Sequence, residues 1–205
     1  AVHVICGFNY RFGRGRAGDV EFLQEQGRRY GFNVTVVPSV HGRSGELISS
    51  TLIRSLLAEG QIQEAAECLG RFPAYRGVVV PGQGRGRQLG FPTANLEIDP
   101  RLVLPRDGVY LTWCLLPDGR GFPAVTSIGR NPTFAGQVQT VEVYLLDFDG
   151  NLYGEILELQ FLERMREIIC YPTPDALSAQ IDQDVEQARK LLWHYHLQDA
   201  RVVLK

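Results

Sequence analysis

The periodicity of this chain changes once, around Pro73 in residues 71–76, and that change limits the folds open to it. Before it, apolar residues recur alternately at strand and helix spacing. Residues 2–6 and 32–37 read as strands. Asp19 is placed to cap a helix running to Tyr30 and ended by Gly31. Ser50 or Thr51 can cap a further helix with Leu52, Ile53, Leu56 and Leu57 on its apolar face and Gly60 as its stop; a short helix holding Ile62, Ala65, Ala66 and Leu69 follows. That order favours an α/β layer with parallel strands. After the break, period-two runs at 77–80, 91–98, 109–116, 124–128, 140–147 and 155–161 follow one another between Gly, Pro and Asp turns. Such spacing predicts an antiparallel barrel or sandwich. A last helix is expected from Thr173 as N-cap and Pro174 at the first helical position, with Leu177, Ile181, Val185, Ala188 and Leu191 or Leu192 forming a stripe that closes one side of the barrel. The boundary is set at 72/73.

Composition narrows the partners. The 205 residues carry 21 basic and 23 acidic side chains, a net charge of −2. A broad positive field able to hold a nucleic-acid backbone is therefore absent. No apolar run approaches the roughly 20 residues that span a bilayer, and no charged-then-apolar leader precedes the first strand. A soluble, cytoplasmic protein without nucleic-acid or membrane partners is expected; its oligomeric state is open. Cys6, Cys68, Cys114 and Cys170 form no CxxC pair, and His194 and His196 have no further ligand type beside them. These residues read as packing or surface groups rather than a metal or redox centre.

The stretch 81–96, PGQGRGRQLGFPTANL, sets a glycine-dense loop between two strands. Gly82, Gly84, Gly86 and Gly90 permit positive φ and close backbone approach, so that successive N–H groups can converge on an anion, and Arg85 and Arg87 add charge. It is neither a P-loop nor a dinucleotide fingerprint. A plain hairpin turn also accommodates the glycines. Thr93 and Asn95 lie two apart on a predicted strand, which sends both side chains to one face. Their hydroxyl and amide oxygens could seat a nucleotide-bound Mg²⁺, or bond to neighbouring backbone. On 140–147, Val141, Val143 and Leu145 share one face while Glu142 shares the other with Tyr144 and Leu146. A carboxylate on so apolar a face is either put to use or paired with an arginine. Arg166, at the end of the last strand, carries little information alone. In the first domain, Gly7, Asn9, Phe12 and Gly13 form a glycine-bounded loop at a strand end; Ser50, Thr51 and Arg54 suit a phosphate at a helix N-terminus, or ordinary capping.

Together these segments resemble the bacterial bifunctional riboflavin kinase/FAD synthetase family, over nearly the whole chain. Residues 84–96 are similar to the family's kinase signature. Gly108-Val109-Tyr110, Ile128-Gly129 with Asn131-Pro132-Thr133-Phe134, Val141-Glu142-Val143 with Leu145-Leu146-Asp147-Phe148, and Met165-Arg166 stand in the family's order and spacing. The resemblance implies a partial Rossmann-like nucleotidyltransferase domain over 1–72. A six-stranded antiparallel Greek-key barrel with a C-terminal helix is implied over 73–205. It further implies that Thr93 and Asn95 bind Mg²⁺, that the 82–90 loop embraces the ATP phosphates, that Glu142 is the base, and that Arg166 belongs to the flavin-side loop. The implied reaction moves the γ-phosphoryl group of ATP to the 5′-hydroxyl of riboflavin, giving FMN and ADP.

The segments around Gly7–Gly13 and Ser50–Arg54 are similar to the second half of the family's adenylyltransferase domain. Its first half, with a His-x-Gly-His motif, has no counterpart here, since His41-Gly42-Arg43 does not match it. FMN adenylylation is therefore not expected of this chain as given. Cys170-Tyr171 stands where relatives often carry Lys-Phe. The alternatives are a non-catalytic barrel that grips a flavin or a single nucleic-acid strand, and a fragment of an intact bifunctional enzyme.

Overall fold

The computed structural model describes residues 1–133, 136–198 and 201–203, without the side chains of 85, 88, 130–133 and 136–138. Phe134, and the side chains of Asn131, Pro132 and Thr133 in the motif named above, lie outside this described set. The chain divides into two compact units, Ala1–Ser49 and Ser50–Lys205.

In the first unit, strands β1 (His3–Gly7) and β2 (Asn33–Val37) pair in parallel, from His3 opposite Asn33 to Gly7 opposite Val37, with helix α1 (Val20–Tyr30) as the crossover between them. Asp19 Oδ1 accepts the Phe22 N–H at 2.9 Å, and Gly31 ends α1 at φ +76°, as the sequence predicts. Tyr10 stacks on Phe12, which also meets Phe22.

The second unit opens with helices α2 (Ser50–Glu59) and α3 (Ile62–Leu69), followed by strand β3 (Ala74–Val80), the short helix α4 (Arg85–Gln88) and strand β4 (Ala94–Ile98). Strands β5 (Gly108–Leu115), β6 (Gly121–Thr133), β7 (Gly136–Leu145) and β8 (Ile156–Arg166) come next, then helix α5 (Pro174–Leu192) and a hairpin of β9 (His196–Gln198) and β10 (Arg201–Val203). The strands from β3 to β8 close an antiparallel barrel in the order β3-β4-β7-β6-β5-β8. The run β7-β6-β5-β8 is a Greek key, three sequential strands with the fourth returned beside the first.

Alternation along each strand creates two apolar layers. Inside the barrel lie Leu96, Tyr110, Val141, Val143, Leu157, Leu159 and Phe161, joined by Leu57, Ile62 and Ala65 from α2 and α3. Tyr75 and Tyr110 meet the Phe161 ring edge-on at 5.5 and 5.3 Å, and the hydroxyls of Thr112 and Thr126 satisfy each other at 2.7 Å. Outside, Val109, Leu111, Trp113, Val125 and Leu162 pack with Ala66, Phe72, Ala188 of α5 and Val202 of β10. Every residue of β5 is therefore buried, one face toward each layer.

The structure revises the sequence reading at several points. The compact units divide at 49/50, within the 1–72 segment, because α2 and α3 lend apolar side chains to the barrel's own layers. Ser50 and Thr51 lie inside the first turn of α2 instead of ahead of it. The strand predicted from residue 91 begins at Ala94, since the N–H groups of Leu89 and Phe91 bond to the Gly86 carbonyl and Gly90 N–H bonds to Arg87. The glycine-dense loop thus holds a helical turn, α4. The α5 stripe packs on the outer face of β5 and β6, with Thr173 as its cap and Pro174 in its first turn. The C-terminal hairpin was not legible. It is tied down by Gln160, whose amide accepts the Val202 N–H at 3.0 Å and donates to the Val202 carbonyl.

Candidate active site

Thr93, just ahead of β4, and Asn95 within it point away from the barrel interior, while Leu96 points into it. On the neighbouring strand, Val141 and Val143 fill the interior and Glu142 faces outward, directly opposite Asn95 on one side and Ser127 of β6 on the other. The Thr93 hydroxyl donates toward Glu142 Oε2 at 3.5 Å, a long contact. Period two alone aligns Thr93 with Asn95. Barrel closure adds Glu142.

The glycine loop presses on this group. A Cβ at Gly82 would stand 2.1 Å from Asn95 Nδ2, and one at Gly86 would stand 2.3 Å from the Phe91 carbonyl and 3.1 Å from Thr93 Oγ1. At Gly86 the close approach to the Phe91 backbone carbonyl leaves room only for a residue without a side chain. Gly84 and Gly90 sit at the two bends of the loop, with φ of +69° and +86°. Arg87 is exposed; the Arg85 side chain lies outside the described residues.

Two cavities open beside these residues. One, of about 350 Å³, is lined by Thr93, Glu142, Ser127 and Arg166 among apolar and aromatic side chains that include Phe91, Tyr144, Ile168 and Ile169. Its size and mixed lining are those of a small-molecule site. The other lies between Arg87, Pro92 and Thr93 on one side and the 148–153 segment on the other. Thr93 lines both.

Arg166 stands at the rim of the larger cavity, gripped by α5. Its Nε and Nη2 donate to the two oxygens of Asp184 at 2.8 and 2.6 Å, and its Nη1 donates to the Glu167 carbonyl. Asp184 is only 2% exposed and also accepts from Gln180. Bonding to this carboxylate holds the Arg166 guanidinium more firmly protonated than usual. Sequence reasoning did not single out Asp184, although a signal was present: it stands one turn beyond Ile181 on the apolar stripe of α5, where a carboxylate needs a partner. Ser127 and residues 149–153 were also missed, because strand register and loop path bring them to the site.

None of the remaining candidates lines either cavity. Gly7 ends β1 and Asn9, Phe12 and Gly13 follow it in the first unit, whereas Ser50, Thr51 and Arg54 are exposed on α2 of the second. Among the described residues no group of three or more His, Cys, Asp or Glu side chains could hold a metal ion, and no helix is long and apolar enough to cross a membrane.

Comparison with known proteins gives this geometry a family. A family model described as riboflavin kinase matches residues 69–192, and one described as FAD synthetase matches residues 1–52. Bifunctional riboflavin kinase/FMN adenylyltransferases of Haemophilus influenzae and Pseudomonas fluorescens are 39% and 40% identical to the chain, covering 89% and 92% of it. The chain spans 59% and 60% of their lengths. A solved structure named as a macrolide-efflux protein from Streptococcus pneumoniae superposes with a TM-score of 0.78 at 36% identity, over 89% of this chain and 58% of that one. With well over half its residues matched by that first model, in a segment that contains both cavities and the residues between them, the chain belongs to the riboflavin kinase family.

Proposed function

We propose that the chain is an ATP:riboflavin 5′-phosphotransferase acting in the cytoplasm, with Glu142 as the base and Thr93 and Asn95 as the seat of a nucleotide-bound Mg²⁺. One observation carries this reading. Two cavities of different character share Thr93 as a wall, and an outward-facing carboxylate stands in contact with that wall. Phosphoryl transfer chiefly requires a donor and an acceptor held end to end with their charges compensated, and such a layout supplies that.

The cavity beside Arg87 and the glycine loop suits the nucleotide, whose phosphates would meet backbone N–H groups and Arg87. The larger cavity suits riboflavin, with its ring among apolar side chains and its ribityl chain toward Glu142. Glu142 takes the proton of the primary hydroxyl while that oxygen attacks the γ-phosphorus, and ADP leaves with the bridging oxygen. The donor set fits Mg²⁺: two hard neutral oxygens side by side, with no competing histidine or cysteine cluster among the described residues. When bound with the nucleotide, the ion offsets charge on the phosphate oxygens.

Residues 1–72 are read as part of an FMN adenylyltransferase domain, in line with the match over 1–52. The test is incubation of the 205-residue chain with riboflavin, ATP and Mg²⁺, followed by chromatography. FMN and ADP are expected in equal amounts, without FAD, and neither product after chelation of the metal. Riboflavin recovered unchanged would remove the kinase reading in favour of a binding module.

A further inference from the structure

Resting on that kinase reading, we propose that Asp147 and Arg189 form a positioning pair, which fixes the wall of the nucleotide cavity made by residues 148–153. Neither side chain lines either cavity, so any effect on a nucleotide passes through that wall. Strand β7 ends at Leu145, and the Leu146 N–H bonds to the Pro123 carbonyl at 2.8 Å. At the next residue the chain leaves the barrel. Asp147 makes the bend at φ +56°, in the left-handed region that residues with a Cβ enter at a cost. Among the described residues, Arg16 is the one other non-glycine with a positive φ.

What holds this bend comes from α5, 42 residues on. Arg189 Nη1 and Nη2 donate to the two carboxylate oxygens of Asp147 at 2.8 and 2.6 Å, a bidentate pair that fixes direction as well as distance. Hydrogen bonding to Arg189 holds the Asp147 carboxyl below the usual aspartate range, so both groups are charged at neutral pH. Their side chains are 67% and 50% exposed, and an ion pair so open to water adds little to global stability. Its use is local. Arg189 follows Ala188, which is wholly buried in the outer layer, so the guanidinium is offered from a fixed backbone. Beyond the bend, Phe148 meets Phe122 edge-on at 5.2 Å, and the Gly154 N–H closes the segment onto the Val79 carbonyl of β3 at 2.9 Å. The wall therefore runs from an entry angle set at Asp147 to an anchor on β3. A changed angle moves Phe148 and Asp149, which line the cavity.

The test is calorimetric titration of the 205-residue chain with ADP and Mg²⁺, beside steady-state kinetics, for Asp147→Asn, Arg189→Gln and the two combined. Asparagine keeps the tolerance of positive φ and loses the charge. Each single variant should raise the Kd for ADP and the KM for ATP about fivefold, the upper span for an exposed ion pair. The kcat at saturating ATP, the Kd for riboflavin and the melting temperature should stay at wild-type values. The combined variant should be no worse than either single one, since both break the same contact. Asp147→Gly, which suits the bend without strain, should lose ADP affinity equally and so separates the carboxylate from the backbone. Wild-type ADP affinity in either single variant, or in Asp147→Gly, overturns the inference. So do losses that multiply in the combined variant, and so does weaker binding of ADP and riboflavin alike with a lowered melting temperature, the mark of a general structural role. Failure of the kinase reading looks different: wild type then binds ADP without forming FMN, and the pair still stands or falls on the ADP titrations. A wild-type chain that does not bind ADP overturns both.

Discussion

The inner and outer faces of β4 and β7 come from the same residues in alternation, yet they are held by different physics. Leu96, Val141, Val143 and Leu145 point inward and are almost wholly buried among other apolar side chains. Any side chain of similar volume and shape serves there. Thr93, Asn95, Glu142 and Tyr144 point outward, where direction and chemical identity matter more than volume. A closed barrel separates these duties: its interior supplies rigidity, and its exterior can carry polar groups at fixed separations without placing them in the core.

The largest expected effect tests the outer face alone. Glu142→Ala should lower kcat by roughly 10² to 10⁴, about 3 to 5 kcal/mol of barrier, while leaving the urea unfolding midpoint close to wild type. Steady-state kinetics beside denaturation measures both, and an unchanged kcat would take Glu142 out of the mechanism. The mirror experiment is Phe161→Ala, deep in the interior between Tyr75 and Tyr110. It should cost about 3 to 5 kcal/mol of stability by cavity formation, with turnover per folded molecule retained.

Asp184 breaks the simple division, because it lies on the outer side and is buried as deeply as the core. Asp184→Ala strands the Arg166 charge and should cost about 3 kcal/mol of stability. The pair Arg166→Met with Asp184→Leu should recover much of that loss without recovering riboflavin affinity. Equal affinities in the double variant and wild type would reduce the ion pair to a packing role.

The smallest effect concerns Glu158, on the outer face of β8, which Arg76 contacts at 2.8 Å and Arg201 at 2.5 Å. Burial works to raise its carboxyl pKa, but the hydrogen bonds from both arginines outweigh this and hold it below the usual glutamate range. Folding therefore favours the ionised form. The associated stability is complete above the unfolded pKa and is lost as pH falls through that value toward the lower folded one. Glu158→Gln should melt below wild type at neutral pH, and the gap should narrow below about pH 4. A gap that stays constant with pH would show that the charge contributes nothing.

Much of the fold was legible because it follows from local rules. Asp19, Gly31, Thr173 and Pro174 mark helix ends through their own bonding and backbone preferences, and they stand where those preferences place them. The glycine-dense loop was legible as a close-approach element, but not as a helical turn that delays β4 to Ala94. What it approaches, the Asn95 amide and the Thr93 hydroxyl, depends on how the chain folds back on itself.

The sequence by itself determined which neighbours along a strand share a face, because a pleated backbone turns successive side chains to opposite sides. Thr93 with Asn95, and Glu142 with Tyr144, could be grouped from that rule alone. Tertiary structure decided what stands opposite them. Closure of the barrel sets Asn95 against Glu142 across nearly fifty residues of chain, and the return of α5 brings Asp184 onto Arg166. Register and packing between distant segments minimise the free energy of the whole barrel, so no local window of sequence contains them.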